Sequence, residues 1–403
     1  MSDDRPVEHL APQPWMTEAP VRAVLTALGG SGRFVGGCVR DALLGRPIGD
    51  IDVATPLRPE EVLRRLEAAG IKAVPTGLAH GTVTAVAPQR QIEITTLRRD
   101  VETFGRHARV AFTADWAEDA ARRDFTMNAL FLDAEGNLFD PLGGLSDLRA
   151  GRVRFVGDAA ARIREDVLRL LRFYRFHAHY GRGEADAEAR AACRALAGLL
   201  PGLSGERVAA ELKKLLCAPD PVPTLRLAAE DGVLAVLLPE ATRLDRLRGL
   251  VAIEEAPDAI RRLSALIETN AAAVAERLKL STAERDRLLA LASPLPPIDL
   301  AADERTQRRL AYRHGVDLYR DEVLLAAASS GAGERAHALR HAAEAWRSLK
   351  FPLRGRDVTA LGIPAGPAVG RLLGEVEAWW EEGDFRADRR AALAELKRRA
   401  GRG

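Results

Sequence analysis

A strand-to-helix turn that carries two consecutive glycines constrains this chain more than any other feature. An apolar run ends at Val35, and helical spacing of apolar residues begins at Val39. Gly36 and Gly37 lie between them, where a glycine pair lets a phosphate group approach the backbone and a helix N-terminus attracts an anion. The turn predicts a phosphate site with Arg40 as a fixed positive charge, although a glycine pair alone is more often an ordinary tight turn.

Two aspartates follow in a second predicted strand. Asp50 and Asp52 alternate with apolar residues, so both carboxylates point to the same face of that strand. Two divalent ions about 3.5–4 Å apart, held by these carboxylates, would activate a hydroxyl group and stabilise a leaving pyrophosphate. An Asp-x-Asp segment alone is more often a solvated loop. Its place after the glycine turn, in strand, turn, helix, strand order, favours a nucleotidyl-transfer site.

Composition does not identify a binding partner, but the cysteine content favours one kind of cellular compartment. The 403 residues include 59 basic and 57 acidic side chains, so the net charge is close to zero. A nucleic-acid partner would therefore have to bind a local basic patch. The 3 cysteines have no metal-like spacing, which favours a reducing compartment. Because no leader sequence and no apolar run of about 18 residues is found, we expect a cytoplasmic protein without membrane association. No stable protein partner is evident.

Periodicity predicts an α+β protein with a mixed N-terminal part and a helical remainder. Residues 1–19 are polar and contain prolines, which indicates a flexible lead-in, and residues 20–150 alternate helices with short strands of a small mixed sheet. Beyond residue 151 the strand signals vanish, and proline clusters separate a neck (151–218), a body (219–293) and a tail (294–403), all helical. The predicted helices of the mixed part are Val21–Leu28 and Pro59–Ala69, and its strands are Arg33–Val35, Asp50–Ala54, Thr82–Ala87, Gln91–Thr96, Ala129–Asp133 and Leu138–Asp140.

A third carboxylate is predicted on a hairpin strand. Pro88, Gln89 and Arg90 indicate a turn between Thr82–Ala87 and Gln91–Thr96. On the second of these strands Glu93 faces away from Ile92 and Ile94, so it is available as a further metal ligand or as a base if the strand lies beside the aspartates. The alternative is a glutamate that faces solvent.

Two polar segments follow the hairpin. The segment Asp100–Thr113 has no clear periodicity, which fits either a mobile loop over the site or an ordinary surface loop. Among the residues after it, Arg123 is predicted to contact the phosphate or ribose of a nucleotide, with Asp124 and Asn128 as supporting groups on one helical face. A structural salt bridge is the alternative.

The neck helix, predicted over Ala160–Phe176, carries a carboxylate beside a basic ridge. Asp166 and Arg169 are three residues apart and therefore adjacent on the helix surface, and Arg172 and Arg175 continue at the same interval. Cytosine and adenine each present an amino donor next to a ring acceptor, which matches a carboxylate beside a guanidinium, whereas uracil and guanine do not. The alternative is an amphipathic helix with a solvated charged face.

Residues 149–182 hold nine arginines against three acidic residues, a local excess that offers phosphate contacts to RNA. The nearly neutral total charge of the chain does not reveal this local excess.

These motifs closely resemble the bacterial and eukaryotic type of CCA-adding tRNA nucleotidyltransferase, which belongs with the polymerase-beta-like nucleotidyltransferases. The resemblance covers about residues 30–215. It rests on the ordered motifs Gly-Gly-x-Val-Arg-Asp, Asp-Ile-Asp, Glu-Ile-Thr-Thr, Arg-Arg-Asp-Phe-Thr-Met-Asn-Ala, Asp140–Leu148 and Glu165-Asp166-x-x-Arg169. It implies a catalytic head followed by helical neck, body and tail, and successive transfer of C, C and A from CTP and ATP to the 3′ end of tRNA.

The resemblance also implies roles for individual residues. Asp50 and Asp52 look like ligands of Mg²⁺, and Glu93 looks like the third acidic residue. Asp140–Leu148 resembles the hinge between head and neck. The residues that resemble nucleotide contacts are Gly37, Arg40 and Arg123 for the triphosphate and ribose, Asp166 and Arg169 for the base, and Arg172 and Arg175 as further contacts.

Three alternatives stay open at this point. Bacterial poly(A) polymerases share the catalytic head, but the segment Pro75–Val83 looks like the CCA-adding form. A specialist that adds only C or only A is another alternative, and a non-catalytic RNA-binding scaffold is a third. Because the chain contains no His-Asp dipeptide, we expect no additional metal phosphohydrolase activity.

Overall fold

The computed structural model describes residues 5–87, 90–104, 107–293 and 296–401. The chain divides into two compact units, one ending at Pro239 and one beginning at Glu240. The first unit contains the sheets, and the described part of the second is helical apart from an isolated bridge between Ala241 and Ile267. The predicted α+β class, mixed first and helical afterwards, is confirmed. The finer division into neck, body and tail stays a prediction.

In its described residues the first unit forms one large mixed sheet and a separate hairpin. The strands are β1 (Glu8–His9), β2 (Arg33–Val35), β3 (Ile51–Thr55), β4 (Lys72–Gly77), β5 (Thr82–Ala87), β6 (Arg90–Thr96), β7 (Arg98–Phe104), β8 (His107–Phe112), β9 (Phe131–Leu132) and β10 (Asn137–Phe139). Eight of them pair in the order β1-β10-β9-β2-β3-β6-β5-β4, and β7 pairs with β8. Within the large sheet β3 and β6 run parallel, and the other pairs are antiparallel.

Helices surround the sheet and continue the unit. They are α1 (Ala19–Ala27), α2 (Gly37–Leu43), α3 (Pro59–Ala68), α4 (Trp116–Ala121), α5 (Gly144–Ala150), α6 (Ala159–Glu165), α7 (Leu168–Tyr180), α8 (Ala187–Leu196), α9 (Gly205–Leu216), α10 (Val222–Glu230) and α11 (Val233–Leu237). The core between sheet and helices is apolar because alternate strand residues face inward: Phe34, Ile51, Ile92 and Ile94 are at most 1% exposed.

The described residues of the second unit form a further set of helices. They are α12 (Leu244–Ile253), α13 (Ala259–Leu266), α14 (Ala271–Arg277), α15 (Thr282–Ala292), α16 (Glu304–His314), α17 (Val316–Ser330), α18 (Gly333–Trp346), α19 (Gly355–Thr359), α20 (Pro367–Glu382) and α21 (Arg389–Ala400). Nowhere in the described part of the chain is a helix both long enough and apolar enough to cross a membrane.

The N-terminal segment differs from the predicted flexible lead-in. Glu8 of β1 pairs with Leu138 of β10, and the ring of Trp15 packs edge-on against Phe34 with 4.6 Å between ring centroids. Trp15 and Met16 are buried. The segment is held in place because these two side chains remove apolar surface from water that a detached segment would expose.

One predicted hairpin is confirmed and a second was missed. Strands β5 and β6 pair antiparallel as predicted, with the turn residues Pro88 and Gln89 outside the described residues. The segment Asp100–Thr113, predicted as a loop, instead contributes to the β7–β8 hairpin, whose Gly105 and Arg106 lie outside the description. The prediction was wrong because polar residues interrupt the apolar alternation in the sequence of this segment, so its strand signal is weak.

A glycine in the second unit provides a test of helix packing. A Cβ added to Gly249 of α12 would lie 2.0 Å from the carbonyl oxygen of Ala328 in α17, so the two helices would have to separate. We expect Gly249→Ala to lower the free energy of unfolding by about 1–3 kcal/mol. In contrast, a Cβ on Gly370 of α20 meets nothing within 4 Å. Gly370→Ala should therefore gain about 0.5–1 kcal/mol from helix propensity. Urea denaturation measures both, and equal stabilities would contradict this account.

Candidate nucleotide-binding site

The glycine turn has the predicted strand, turn and helix arrangement. Strand β2 ends at Val35, α2 begins at Gly37, and Gly36 between them has φ +74°. A Cβ added to Gly36 would lie 3.9 Å from Nη1 of Arg123 and 3.9 Å from Oδ2 of Asp52, whereas one on Gly37 would approach only Nη2 of Arg40, at 3.7 Å. The backbone of Gly36 therefore lies directly beside both a guanidinium and a carboxylate.

The three predicted acidic residues lie on neighbouring strands. Parallel pairing of β3 with β6 sets Asp52 opposite Glu93, and Asp50 directly precedes β3. The pKa of Asp52 is raised to about 6, chiefly by burial and also by the charges of Glu93 and Asp50, against the opposing effect of Arg123. Two carboxylates and one guanidinium therefore act on the charge of Asp52.

This donor set fits a divalent cation only in part. Among the residues that the structure describes, no three or more His, Cys, Asp or Glu side chains are gathered closely enough to form a complete metal site. Carboxylate oxygens that repel one another are nevertheless the ligands that Mg²⁺ prefers, and this ion commonly takes one or two carboxylates together with substrate phosphates and water. Asp50 and Asp52 fit that second arrangement.

Arg123 is held in position by a buried carboxylate. Asp119 of α4 is 1% exposed and pairs through its two oxygens with Arg122 (2.7 Å) and Arg123 (2.8 Å). Although burial would raise the pKa of Asp119, the two guanidinium groups hold it below its usual value. Of the two adjacent arginines, Arg123 is the one that lies beside Gly36.

Arg40 lies in the site region, but its guanidinium contacts protein groups. Its side chain is buried and donates to both carboxylate oxygens of Asp41, to Oδ1 of Asn128 and to the hydroxyl of Tyr180. It also lies 4.2 Å from the centroid of the Tyr180 ring. These contacts extend from the glycine turn towards α7 rather than towards open solvent.

Asp124 and Asn128 are in contact as predicted, but not on a helical face. Helix α4 ends at Ala121, and the chain then passes through an irregular segment and a short 3-10 turn at Thr126–Asn128. Asn128 donates from Nδ2 to Oδ1 of Asp124 at 3.0 Å. The helical prediction was wrong because Phe125 instead pairs with Phe155 in an isolated bridge.

The predicted neck helix is interrupted at its most informative residue. Asp166 has the extended angles φ −148° and ψ 106°, and it separates α6 from α7. Its Oδ1 accepts from the backbone N–H of Leu168 at 3.2 Å, and its Oδ2 accepts from Arg207 of α9 at 2.7 Å. The continuous helix over Ala160–Phe176 is therefore corrected to two helices, because the backbone is extended at Asp166, whose side chain accepts from the first N–H of α7.

The arginines of α7 all pair with carboxylates. Arg169 pairs with Glu165 at 2.5 Å and donates to the carbonyl oxygen of Arg122 at 3.2 Å. Arg172 donates from Nε to Asp124 at 2.7 Å. Arg175 pairs with Glu211 at 2.5 Å. Glu211 also lies 3.9 Å from Arg172, so the predicted ridge with a single carboxylate is a set of ion pairs with three carboxylates.

Two residues of α9 that the sequence did not single out contact this region. Arg207 pairs with Asp166, and Glu211, which is buried, pairs with Arg175. The two are four residues apart and therefore share one helical face. That spacing is visible in the sequence, but a single sequence does not show which helix the face meets.

Comparison with known protein families matches two family models. The model described as "Poly A polymerase head domain" matches residues 32–154. The model described as "Probable RNA and SrmB- binding site of polymerase A" matches residues 185–244. Together they include the glycine turn, the acidic strands and α9.

Relatives match over most of the chain. The mouse protein named "CCA tRNA nucleotidyltransferase 1, mitochondrial" is 33% identical over 377 residues, which is 91% of this chain and 86% of the relative. A CCA-adding enzyme of Geobacillus thermodenitrificans is 43% identical over 202 residues, 50% of this chain and 49% of the relative. The crystal structure of the Bacillus stearothermophilus CCA-adding enzyme in complex with CTP matches with a TM-score of 0.80 at 30% identity, covering 95% of this chain and 98% of that one.

Proposed function

The chain belongs to the family of CCA-adding tRNA nucleotidyltransferases, and from that premise we propose that it adds C, C and A in turn to the 3′ end of tRNA. The nucleotides come from CTP and ATP, and pyrophosphate is released. One geometric observation supports the proposal most directly. The register of β3 and β6 sets Asp52 beside Glu93, next to Arg123 and the turn at Gly36.

We assign the binding of two divalent cations, Mg²⁺, to Asp50 and Asp52. When bound, they would increase the acidity of the attacking 3′-hydroxyl group and neutralise charge on the leaving pyrophosphate. Glu93, opposite Asp52, is the third acidic residue and is available to ligate a cation or to accept the hydroxyl proton. The two carboxylates that act on Asp52 support this assignment, because neighbouring negative charges favour a bound cation.

The nucleotide phosphates are assigned to the glycine turn and to Arg123. Gly36 and Gly37 present backbone without a Cβ, and Asp119 holds the guanidinium of Arg123 beside this backbone. Arg40 was predicted to contact the triphosphate directly, but its four hydrogen bonds go to protein groups. We therefore assign to Arg40 the placement of α2 rather than a direct phosphate contact.

We assign recognition of the edge of the nucleotide base to Asp166 and Arg169, which lie at the junction of α6 and α7. Arg207 and the N–H of Leu168 each take one lone pair of the Asp166 carboxylate, and the remaining lone pairs are available to an exocyclic amino group. Arg169 retains N–H groups beyond those bonded to Glu165 and to the carbonyl oxygens of Arg122 and Arg162, so it is available as a donor to a ring acceptor. Arg172 and Arg175, predicted as further nucleotide contacts, are assigned through their carboxylate partners to the support of this edge.

The RNA partner is assigned to the helical part of the chain. The arginine-rich region 149–182 supplies positive charge, and residues 185–244 match a family model described as a probable RNA-binding site. A cytoplasmic location stays a prediction, since the relatives from mouse, zebrafish and human carry the word mitochondrial in their names.

Poly(A) polymerase activity is the second candidate, because both matching family models are named for poly(A) polymerases. The test is to incubate the purified protein with tRNAs that lack one, two or three terminal nucleotides, supplying each NTP separately and then CTP with ATP. We expect products that stop after CCA. A long A tail would support poly(A) polymerase, addition of C alone or A alone would support a specialist, and no incorporation would indicate an inactive scaffold.

A further inference from the structure

A chain of hydrogen bonds, buried at its centre, joins the helix at the glycine turn to the neck helix α7. On α2, Arg40 donates from Nη1 to Oδ1 of Asn128 (2.8 Å) and from Nη2 to the hydroxyl of Tyr180 (2.7 Å). Asn128 donates to Asp124 (3.0 Å), whose Oδ2 accepts from Nε of Arg172 (2.7 Å). Because Tyr180 and Arg172 both lie on α7, these five side chains, the head–neck network, connect the two helices at two points.

The network depends on an amide at its centre. Oδ1 of Asn128 accepts from a guanidinium while Nδ2 of the same side chain donates to a carboxylate. Asn128 and Asp124 are 7% and 8% exposed, so water does not replace these bonds easily. A carboxylate at position 128 would keep the bond to Arg40 but would face Asp124 with a second acceptor. An apolar side chain would remove one hydrogen bond from Arg40 and one from Asp124.

The Asp124 carboxylate of the network is ionised at neutral pH. Although burial would raise the pKa of Asp124, the charge of Arg172 and the hydrogen bond from Asn128 hold it below its usual value. The Asp124 carboxylate therefore remains an acceptor on both sides. Its Oδ1 also accepts from its neighbour, the backbone N–H of Phe125, at 2.9 Å.

We infer that Asn128 is a positioning residue that fixes the base-selecting helix to the helix at the phosphate-binding turn. Through Arg40 it sets α2, which begins at that turn, and through Asp124 and Arg172 it sets the first turns of α7, which carry Arg169. This inference rests on the proposed function, because it makes base selection depend on a group that touches neither base nor phosphate. Weakening the network should leave the residues of the site intact but relax the choice of base.

A matched pair of tyrosine variants tests the inference. Tyr180→Phe removes the hydroxyl group that Arg40 contacts, and Tyr174→Phe removes one from the same helix that contacts Asp231 instead, at 2.9 Å. Tyr174 is more deeply buried, so its loss should lower the melting temperature at least as much. For Tyr180→Phe we expect the preference for CTP over UTP in the first addition to fall about three- to tenfold, the effect of one hydrogen bond. For Tyr174→Phe we expect the preference to stay within twofold of the parent.

Asn128→Asp is the stronger variant, for which the preference should fall about tenfold or more while kcat with CTP changes less than the ratio. The preference is also measured as the ratio of CTP and UTP dissociation constants, without tRNA. If the parent binds nucleotides but adds none, the proposed function is wrong, while the binding ratios still judge the network. A preference that falls equally in Tyr174→Phe, or in neither Tyr180→Phe nor Asn128→Asp, would overturn the inference.

A thermal cycle provides a check without nucleotides should Asn128→Asp prove poorly folded. Asn128→Ser and Arg172→Met are compared singly and together. The two shifts in melting temperature should be non-additive, because both residues bond the same Asp124 carboxylate. Additive shifts would show that the two residues do not act as a unit and would overturn the inference.

Discussion

Asp52→Asn should reduce nucleotide incorporation by about a thousandfold or more, and it should do so while raising the melting temperature of the metal-free protein. The loss of activity is expected because the asparagine amide replaces a carboxylate that we assign as a metal ligand, a contribution worth several kcal/mol. Incorporation of CMP into tRNA lacking its terminal CCA, at saturating CTP, measures the effect.

The stability half of this prediction follows from the electrostatics of the site. The pKa of Asp52 is raised to about 6, chiefly by burial and also by the charges of Glu93 and Asp50. A carboxyl group whose pKa is higher in the folded than in the unfolded state opposes folding when it is ionised, as it is at pH 7. The neutral amide removes that cost. Adding Mg²⁺ should then stabilise the parent protein more than the variant.

Asp119→Asn is the matched control, since Asp119 is also a buried aspartate of the same unit. The pKa of Asp119 is instead held low by Arg123 and Arg122 against the effect of burial. Its charge therefore favours folding at neutral pH, and its replacement should lower the melting temperature. If Asp52→Asn lowered the melting temperature as much as Asp119→Asn, or retained incorporation, the assignment of Asp52 would be wrong.

Asp166→Ala should reduce discrimination against UTP by about 10–100-fold. The carboxylate accepts from an exocyclic amino group in our assignment, and a site that pairs such a group rejects the analogue that lacks it. Uracil presents a carbonyl oxygen in that place, which the carboxylate of Asp166 repels. The ratio of kcat/KM for CTP and UTP in the first addition measures the change.

Two further variants separate selection from helix stability. Arg207→Met removes the cation that pairs with Asp166 at 2.7 Å, so we expect a smaller relaxation in the same direction. Asp158 caps the opposite end of α6 by accepting from the N–H of Ala161 at 2.6 Å. Asp158→Ala should cost about 1 kcal/mol of stability without changing the choice of base. An Asp166→Ala enzyme that rejected UTP as well as the parent would contradict the assigned role of the neck.

Local patterns predicted the parts of the site that depend on one element at a time. Alternation along each strand predicted that Asp52 and Glu93 lie on the face opposite to that of their apolar neighbours in the same strand. Strands β3 and β6 include both residues and pair them with each other. The glycine turn was also predictable, because Gly36 at φ +74° occupies a backbone region that other residues rarely adopt. These preferences come from steric and solvent effects that act within a few residues.

Periodicity failed where a side chain competed with the local pattern. The apolar spacing of Ala160–Phe176 continues through Asp166, so it predicts one helix. The chain is nevertheless extended at Asp166, whose carboxylate accepts from the backbone N–H of Leu168. The polar residues of the N-terminal segment likewise predicted a flexible lead-in, but the ring of Trp15 packs against Phe34. In both places the deciding contact joins the segment to groups that a residue pattern does not identify.

The sequence by itself determined which residue types stand on which face of each strand and helix, and hence the candidates for metal, phosphate and base. Only the tertiary structure decided their partners: that β3 lies parallel to β6, that Arg40 bonds Asn128 and Tyr180, and that α9 brings Arg207 to Asp166. The physical reason is the distance along the chain over which each kind of interaction acts. Backbone preferences and burial patterns act over a few residues, whereas the pairing of charges depends on which distant elements the apolar core packs together.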